Sequence, residues 1–264
     1  MVSITINRNH FNSFMKGFGS MDDLVLHADE DAQRIHASGT ADRAFFITRW
    51  SGAEVTEGGS FAVGQLGTLL SLVKDLPQNE EGTLSLQFDG DNLTISSGSG
   101  FFRIPTLATA TSSAGVEQLS GTLQASAEGG YEQFGSSPFE YAYTFEAQTF
   151  RQLQKVGSAI SNGALFSLIC DGTGVLTYAV LRDGIRVEHE IDATTFADDY
   201  PEGENVIWFG AWLLDALKAM PSAGAVHLSC GADTPLLLRH EALEGQQTGT
   251  TVIVAPRQEA EGNA

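Results

Sequence analysis

The pattern Leu-Leu-x3-Lys-x2-Pro occurs twice in this chain, at Leu69, Leu70, Lys74 and Pro77 and again 144 residues later at Leu213, Leu214, Lys218 and Pro221. A second pair recurs at an offset of 139: Phe11 with Lys16, then Phe150 with Lys155. Self-similarity at such spacing marks one supersecondary unit built twice. The 264 residues then divide into two cores of about 130 residues each, close to the usual domain size.

Two periodicities fill each unit. Apolar residues alternate with polar ones over 2–6, 24–28, 44–50, 84–88, 93–95, 139–145, 165–169, 185–191, 226–229 and 236–238, which predicts short strands. Turns such as Asp89-Gly90-Asp91-Asn92, Asp171-Gly172 and Asp183-Gly184 separate them and make the pairing antiparallel. Four segments carry helical spacing instead: Phe11, Phe14, Met15 and Phe18; Leu66, Leu69, Leu70 and Val73; Phe150, Leu153 and Ile160; Leu213, Leu214, Leu217 and Met220. Helices are predicted over 8–19, 64–77, 147–160 and 210–221. Each unit reads strand, helix, three strands, strand, helix, three strands. The fold class is α+β, with helices on one face of antiparallel sheets. The expected domains are residues 1–107 and 138–264, joined by a connector over 108–137.

The net charge is −19. A uniformly negative surface repels phosphate, so this average argues against nucleic acid. The distribution argues otherwise. The four helical segments hold six basic residues, Arg8, Lys16, Lys74, Arg151, Lys155 and Lys218, against two acidic ones, Asp75 and Asp215, for +4 in 52 residues; the other 212 carry −23. A solvated polar face accounts for any one lysine. Recurrence at equivalent places in both halves implies a weak basic strip on an acidic body. No helix offers the Arg, Asn and Gln cluster of major-groove reading, so any contact with DNA is expected to ignore base sequence.

Enzyme signatures are lacking. There is no Walker A loop, no G-x-G-x-x-G between strand and helix, no H-E-x-x-H and no paired-Cys motif. Gly98-Ser99-Gly100 lies between strands and reads as a hairpin turn, and Asp29-Glu30-Asp31 lacks the remaining EF-hand spacing. His189 stands between Glu188 and Glu190 on an alternating strand, where a salt-bridged surface role is expected. Cys170 and Cys230 each follow an apolar alternating segment and are expected as buried free thiols. Neither a basic start followed by an apolar run nor an 18-residue apolar stretch occurs, so an intracellular protein without a signal peptide or span is expected. No cofactor, metal or catalysis is expected. A β-rich hydrolase or carbohydrate-binding domain also explains strands and acidity; it requires a convergent acid pair or an exposed aromatic platform, and leaves the duplicated lysines unexplained.

The duplicated helix-strand layout, with Asp233-Thr234-Pro235-Leu236-Leu237-Leu238, Val252-Ile253-Val254-Ala255-Pro256-Arg257 and the connector segment Val116-Glu117-Gln118-Leu119, resembles the proliferating cell nuclear antigen family of DNA sliding clamps. Gly39-Thr40-Ala41-Asp42 falls where that family has its central loop. The resemblance covers nearly the whole chain and implies a homotrimeric ring of duplicated clamp domains, helices facing the hole and sheets outside. It implies double-stranded DNA, a DNA polymerase, a clamp loader ATPase and other replication and repair proteins bearing clamp-binding peptides as partners. A subunit of a heterotrimer, or a monomeric processivity factor, keeps the fold and changes the assembly. By helix position, Arg8, Lys16, Lys74, Arg151, Lys155 and Lys218 are the implied DNA channel. By strand position, Phe101, Phe102, Arg103 and Ile104 of one chain are to pair with Ile185, Arg186, Val187 and His189 of the next. The implied partner-peptide pocket is Ser38, Asp42, Ala44, Leu119, Pro235, Ile253, Ala255 and Pro256. Ser38, Asp42 and Arg43 are more polar than the family's apolar lining, and Ile253 stands where an aromatic is common.

Overall fold

The alternation at the N-terminus becomes β1 (Val2–Asn7), whose Val2, Ile4 and Ile6 are buried while Ser3, Thr5 and Asn7 are half-buried. A computed structural model describes residues 1–18, 21, 23–41, 44–107, 123–125, 131–159, 164–171, 175–195, 201, 203–210, 212–220, 223–231, 234–240 and 248–256. The chain forms two units, one of residues 1–41, 45–119 and 242–250, the other of 42–44, 120–241 and 251–264.

In the first unit β1 leads into α1 (Arg8–Met15), continued by a 3-10 turn (Lys16–Phe18). There follow β2 (Asp23–Asp29), β3 (Arg34–Ala41), β4 (Ala44–Trp50), β5 (Ala53–Glu57), β6 (Gly59–Gly64), α2 (Leu66–Asp75), β7 (Thr83–Phe88), β8 (Asn92–Ser97) and β9 (Gly100–Pro105). One sheet runs β5-β1-β7-β8-β9 and another β6-β2-β3-β4.

The second unit opens with β10 (Leu123–Ala125), β11 (Tyr131–Phe134) and β12 (Ser137–Pro138), a small antiparallel sheet. Part of the expected connector is therefore paired strand, while Val116 to Leu119 lie outside the described residues. Next come β13 (Tyr141–Glu146), α3 (Gln148–Ala159), β14 (Leu165–Cys170), β15 (Leu176–Arg182), β16 (Ile185–Ile191), β17 (Thr194–Thr195), β18 (Asn205–Phe209), α4 (Trp212–Ala219), β19 (Ala225–Gly231), β20 (Thr234–His240) and β21 (Thr248–Val254). The orders are β17-β13-β19-β20-β21 and β18-β14-β15-β16.

These orders repeat strand for strand, so the duplication read from two short motifs extends through the whole connectivity. The expected count differs in one place: five strands, not four, separate the helices of each unit. The alternating segments mark β2 and β4 in the first unit and β14 and β16 in the second, so β3, β5 and β6, and β15, β17 and β18, are located only by the structure.

Helices end where local chemistry stops them. α2 runs only to Asp75 because Pro77 drives Leu76 into extended backbone (φ −62°, ψ 140°). Its start at Leu66 follows Gln65 in the left-handed region (φ 53°), with no side-chain cap. Each helix buries the stripe its spacing predicts, Phe11, Phe14 and Met15 on α1, Leu66, Leu69 and Val73 on α2, and Phe150 and Leu153 on α3. In the second unit, Phe150 and Leu153 of α3 and Leu213 and Leu217 of α4 meet Leu168, Tyr178 and Ile191 from one sheet and Phe145, Leu228, Leu236 and Leu238 from the other. Both sheets and both helices thus share one apolar core.

Gly157 adds an unpredicted buried position on α3. A Cβ there would fall 2.4 Å from Leu214 Cδ2, 2.8 Å from the Tyr178 hydroxyl and 3.1 Å from Phe166 Cε1, so glycine lets α3 approach α4. Gly157→Val is expected to cost about 2 kcal/mol through overpacking, read as a lower urea midpoint.

His36 on β3 lies opposite His27 of β2, ring centroids 6.1 Å apart. Its buried Nε2 has no hydrogen-bond partner among the described residues. Burial first, then the Arg49 and Arg34 guanidinium groups, push His36 from 6.5 down to about 4. The folded state therefore keeps the imidazole neutral where the unfolded chain binds a proton, so stability falls as pH drops from 6.5 towards 4. Allowing for partial solvent exposure, wild type is expected to lose about 1–2 kcal/mol more than His36→Gln between about pH 7 and pH 4.5, measured by urea denaturation of both.

Candidate functional site

Three features can act on a partner: the cations on the helices, the open edges of the sheets, and the C-terminal segment. The helix cations divide by position. On α3, Arg151 and Lys155 are one turn apart and exposed, with Lys155 about half a turn around from the buried Phe150 and Leu153. Lys74 and Lys218 are also exposed, about a third of a turn from their buried faces. Both stand in the last turn of their helices, where a cation complements the helix dipole. Lys218 pairs with Asp215 at 3.0 Å, an exposed ion pair of small net strength. The side chain of Lys16 lies outside the described residues.

Arg8 is committed locally. Its guanidinium is half-buried and donates to the carbonyls of Val73 and of Leu76, the latter at 2.7 Å. These carbonyls close α2, whose last turn has no intrahelical donors left. Arg8 therefore ties the start of α1 to the end of α2. The sequence places Arg8 on a helix but carries no sign of this contact, because its acceptors lie 65 and 68 residues away.

Both strands chosen for pairing between chains are sheet edges. β9 ends its sheet beyond β8 and β16 ends its sheet beyond β15. Phe101 is 71% exposed, Ile185 57% and Val187 36%, so the large apolar side chains at the surface concentrate here. Phe102, Ile104 and His189 are half-buried, and Arg103 and Arg186 are exposed. Arg103 pairs with Asp89 and Arg186 with Glu188. Among the described residues each edge thus offers unpaired backbone, apolar side chains and locally neutralised cations, a combination that drives strand addition. In the first unit the equivalent edge is β4, and there the outer side is engaged: Thr250 Oγ1 lies 3.5 Å from Thr48 Oγ1, with Thr248 to Thr250 counted in that unit.

The expected peptide-pocket residues have separate fates. Ser38 is buried on β3, and Pro235, Ala255 and Pro256 are half-buried. Ile253 is only 5% exposed on β21, so an Asp there is expected to unsettle the strand before it tests any pocket. Asp42 and Leu119, and the side chain of Ala44, lie outside the described residues. Trp212, which the sequence did not single out, donates from Nε1 to the Ala255 carbonyl at 3.0 Å and so fixes the C-terminal segment to the start of α4.

Among the described residues no group of three or more His, Cys, Asp or Glu side chains is placed to hold a metal ion, and no helix is long and apolar enough to cross a membrane.

No protein-family model matches the sequence, and no curated protein matches it. Solved structures do match in fold. PCNA of A. fulgidus, solved with the C-terminal region of FEN-1 bound, matches with a TM-score of 0.69 at 14% identity, over 99% of this chain and 100% of that one. The Sulfolobus tokodaii PCNA2–PCNA3 complex gives 0.65 at 17% identity over 97% of this chain and 99% of that one. A putative DNA polymerase III beta subunit from Eubacterium rectale gives 0.72 at 11% identity, over 97% of this chain but 65% of that one. The chain has the DNA-clamp fold of duplicated α+β units over nearly its whole length.

Proposed function

We propose that this chain is a DNA sliding clamp, a non-enzymatic ring that encircles duplex DNA without reading its sequence and tethers a polymerase and other replication or repair proteins. The observation that carries the reading is the pair of open edges, β9 and β16, on a whole-length clamp fold. The first-unit edge β4 is engaged by Thr250, whereas its counterpart β16 stands free among the described residues and exposes Ile185 and Val187. The counterpart of the final strand β21 is β9, which exposes Phe101. Pairing β9 of one chain with β16 of the next repeats one kind of joint head to tail, and such heterologous contacts make rings when the rotation closes. Three chains, the homotrimer, is the closure proposed.

Arg151, Lys155, Lys74 and Lys218 supply the channel, with Lys16 as the duplicate of Lys155. Charge this sparse favours loose, salt-sensitive attraction to phosphates, which suits a body that must slide. The solved complex of A. fulgidus PCNA with a FEN-1 C-terminal region supports peptide-bearing partners here, with Pro235, Ala255 and Pro256 as the accessible part of their pocket. A clamp loader ATPase is the proposed means of opening the ring.

The test joins solution mass by light scattering to primer extension by a polymerase on primed circular DNA. A mass of three chains with longer products per binding event is expected. A persistent single chain that leaves product length unchanged overturns the reading. A mass of three reached only with a second, related chain shows a heterotrimer.

A further inference from the structure

Two thiols meet inside the second unit. Cys170 closes β14 in one sheet and Cys230 lies on β19 in the other. Both are fully buried, and their Sγ atoms are 3.9 Å apart across 60 residues of chain. A disulfide needs a sulfur separation of about 2.05 Å, so a shift of about 1 Å by each side chain closes the gap. We propose that Cys170 and Cys230 form a peroxide-responsive dithiol that closes into a disulfide between the two sheets of this unit.

The roles follow from the contacts. Hydrogen bonding from Cys230 holds the Cys170 thiol below its ordinary range, while the same bond and burial raise Cys230. Cys170 is assigned as the nucleophile, and Cys230, whose Sγ faces it at 3.9 Å, as the resolving thiol. Because both thiols are fully buried, the oxidant proposed is hydrogen peroxide, which is small and uncharged. The Cys170 thiolate attacks one peroxide oxygen, the O–O bond breaks, and the departing hydroxide takes up the proton that Cys170 released, leaving water and a sulfenic acid. Cys230 Sγ then attacks the Cys170 sulfur; the S–O bond breaks, and the hydroxyl leaves with the Cys230 proton as a second water. Two thiols lose two electrons and one peroxide gains them.

Closure bridges strands that are not hydrogen-bonded to each other, since β14 pairs with β15 and β18, and β19 with β13 and β20. The bond therefore fixes one sheet of the unit to the other at the end where Asn205 Nδ2 approaches Glu140 Oε2 at 3.4 Å. The proposal holds for a ring or a single chain alike and does not rest on the clamp reading.

The test treats the intact protein with hydrogen peroxide, denatures it, alkylates with N-ethylmaleimide and weighs it. Untreated protein is expected to take two maleimides; oxidised protein is expected to take none, to be lighter by two hydrogens and to remain a single chain on a non-reducing gel. Dithiothreitol restores both thiols, and the melting temperature of the oxidised form rises by on the order of 5–10 °C. In Cys230→Ser, Cys170 is expected to accumulate as a sulfenic acid, trapped by dimedone present during denaturation. Two maleimides after peroxide, a sulfinic acid on Cys170 with Cys230 still alkylated, or a disulfide between chains each overturns the proposal, and the wild-type mass decides the matter if the variant does not fold.

Discussion

Phe101→Asp and Ile185→Asp are each expected to release single chains while leaving the units folded. Both residues stand on edge strands, 71% and 57% exposed, so neither side chain holds up its own core. On pairing of β9 with β16 of the next chain, each becomes covered by apolar surface. Covering a large apolar side chain contributes about 1.5–3 kcal/mol, and a carboxylate in its place adds the cost of an unpaired charge in a closing interface. A loss of about 3 kcal/mol is roughly a 100-fold weaker association at each joint. Light scattering over a dilution series is expected to show the variants as single chains at concentrations where wild type is assembled, with unchanged circular dichroism. Retention of the assembled mass by both variants removes these edges from the interface.

Reversal of Lys16, Lys74, Lys155 and Lys218 to Glu turns the helical segments from +4 to −4 per chain and is expected to abolish retention on DNA. The three described lysines are exposed, so their replacement leaves the packing of α2, α3 and α4 intact. The loss is one of long-range attraction, since a weakly basic surface steers phosphate only while it stays positive. Processive extension is expected to fall to the level of polymerase alone, while ring mass is kept. Because each neutralised phosphate contributes to the salt slope, wild-type retention is expected to fall steeply with ionic strength. Lys218→Glu by itself is expected to do less, since Asp215 already offsets that charge at 3.0 Å. Full processivity in the fourfold variant takes these helices off the DNA-facing surface.

Much of the architecture was legible because it rests on periodicity. Ile4 and Ile6, or Leu66, Leu69 and Val73, are buried in the structure at the spacing that one face of a strand or helix demands. The twofold build was legible from twelve residues at two offsets. What escaped was set at a distance. β5 and β17 are strands because β1 and β13 offer them an edge; the two residues of β17 carry no pattern, and β5 alternates over only five. The helix ends were overextended by a residue or more wherever no cap or proline was weighed against apolar spacing, as Leu76 before Pro77 shows.

The site divided along the same line. Exposed lysines on helices follow from spacing in a repeat, so the sequence could name them, whereas the residues of β9 and β16 were expected at an edge only through the family resemblance. That Arg8 is bound to the carbonyls of Val73 and Leu76, that Trp212 holds Ala255, and that Ile253 is buried depend on segments far apart in the chain. The meeting of Cys170 with Cys230 is of this kind as well, since the sequence predicted each thiol buried and neither one's neighbour. Sequence alone determined the elements, their duplication and the segregation of charge, because local spacing dictates which faces must leave water. Only the tertiary structure decided which edges stay open and which buried groups meet, because those depend on sheet order and register, which no short stretch of residues encodes.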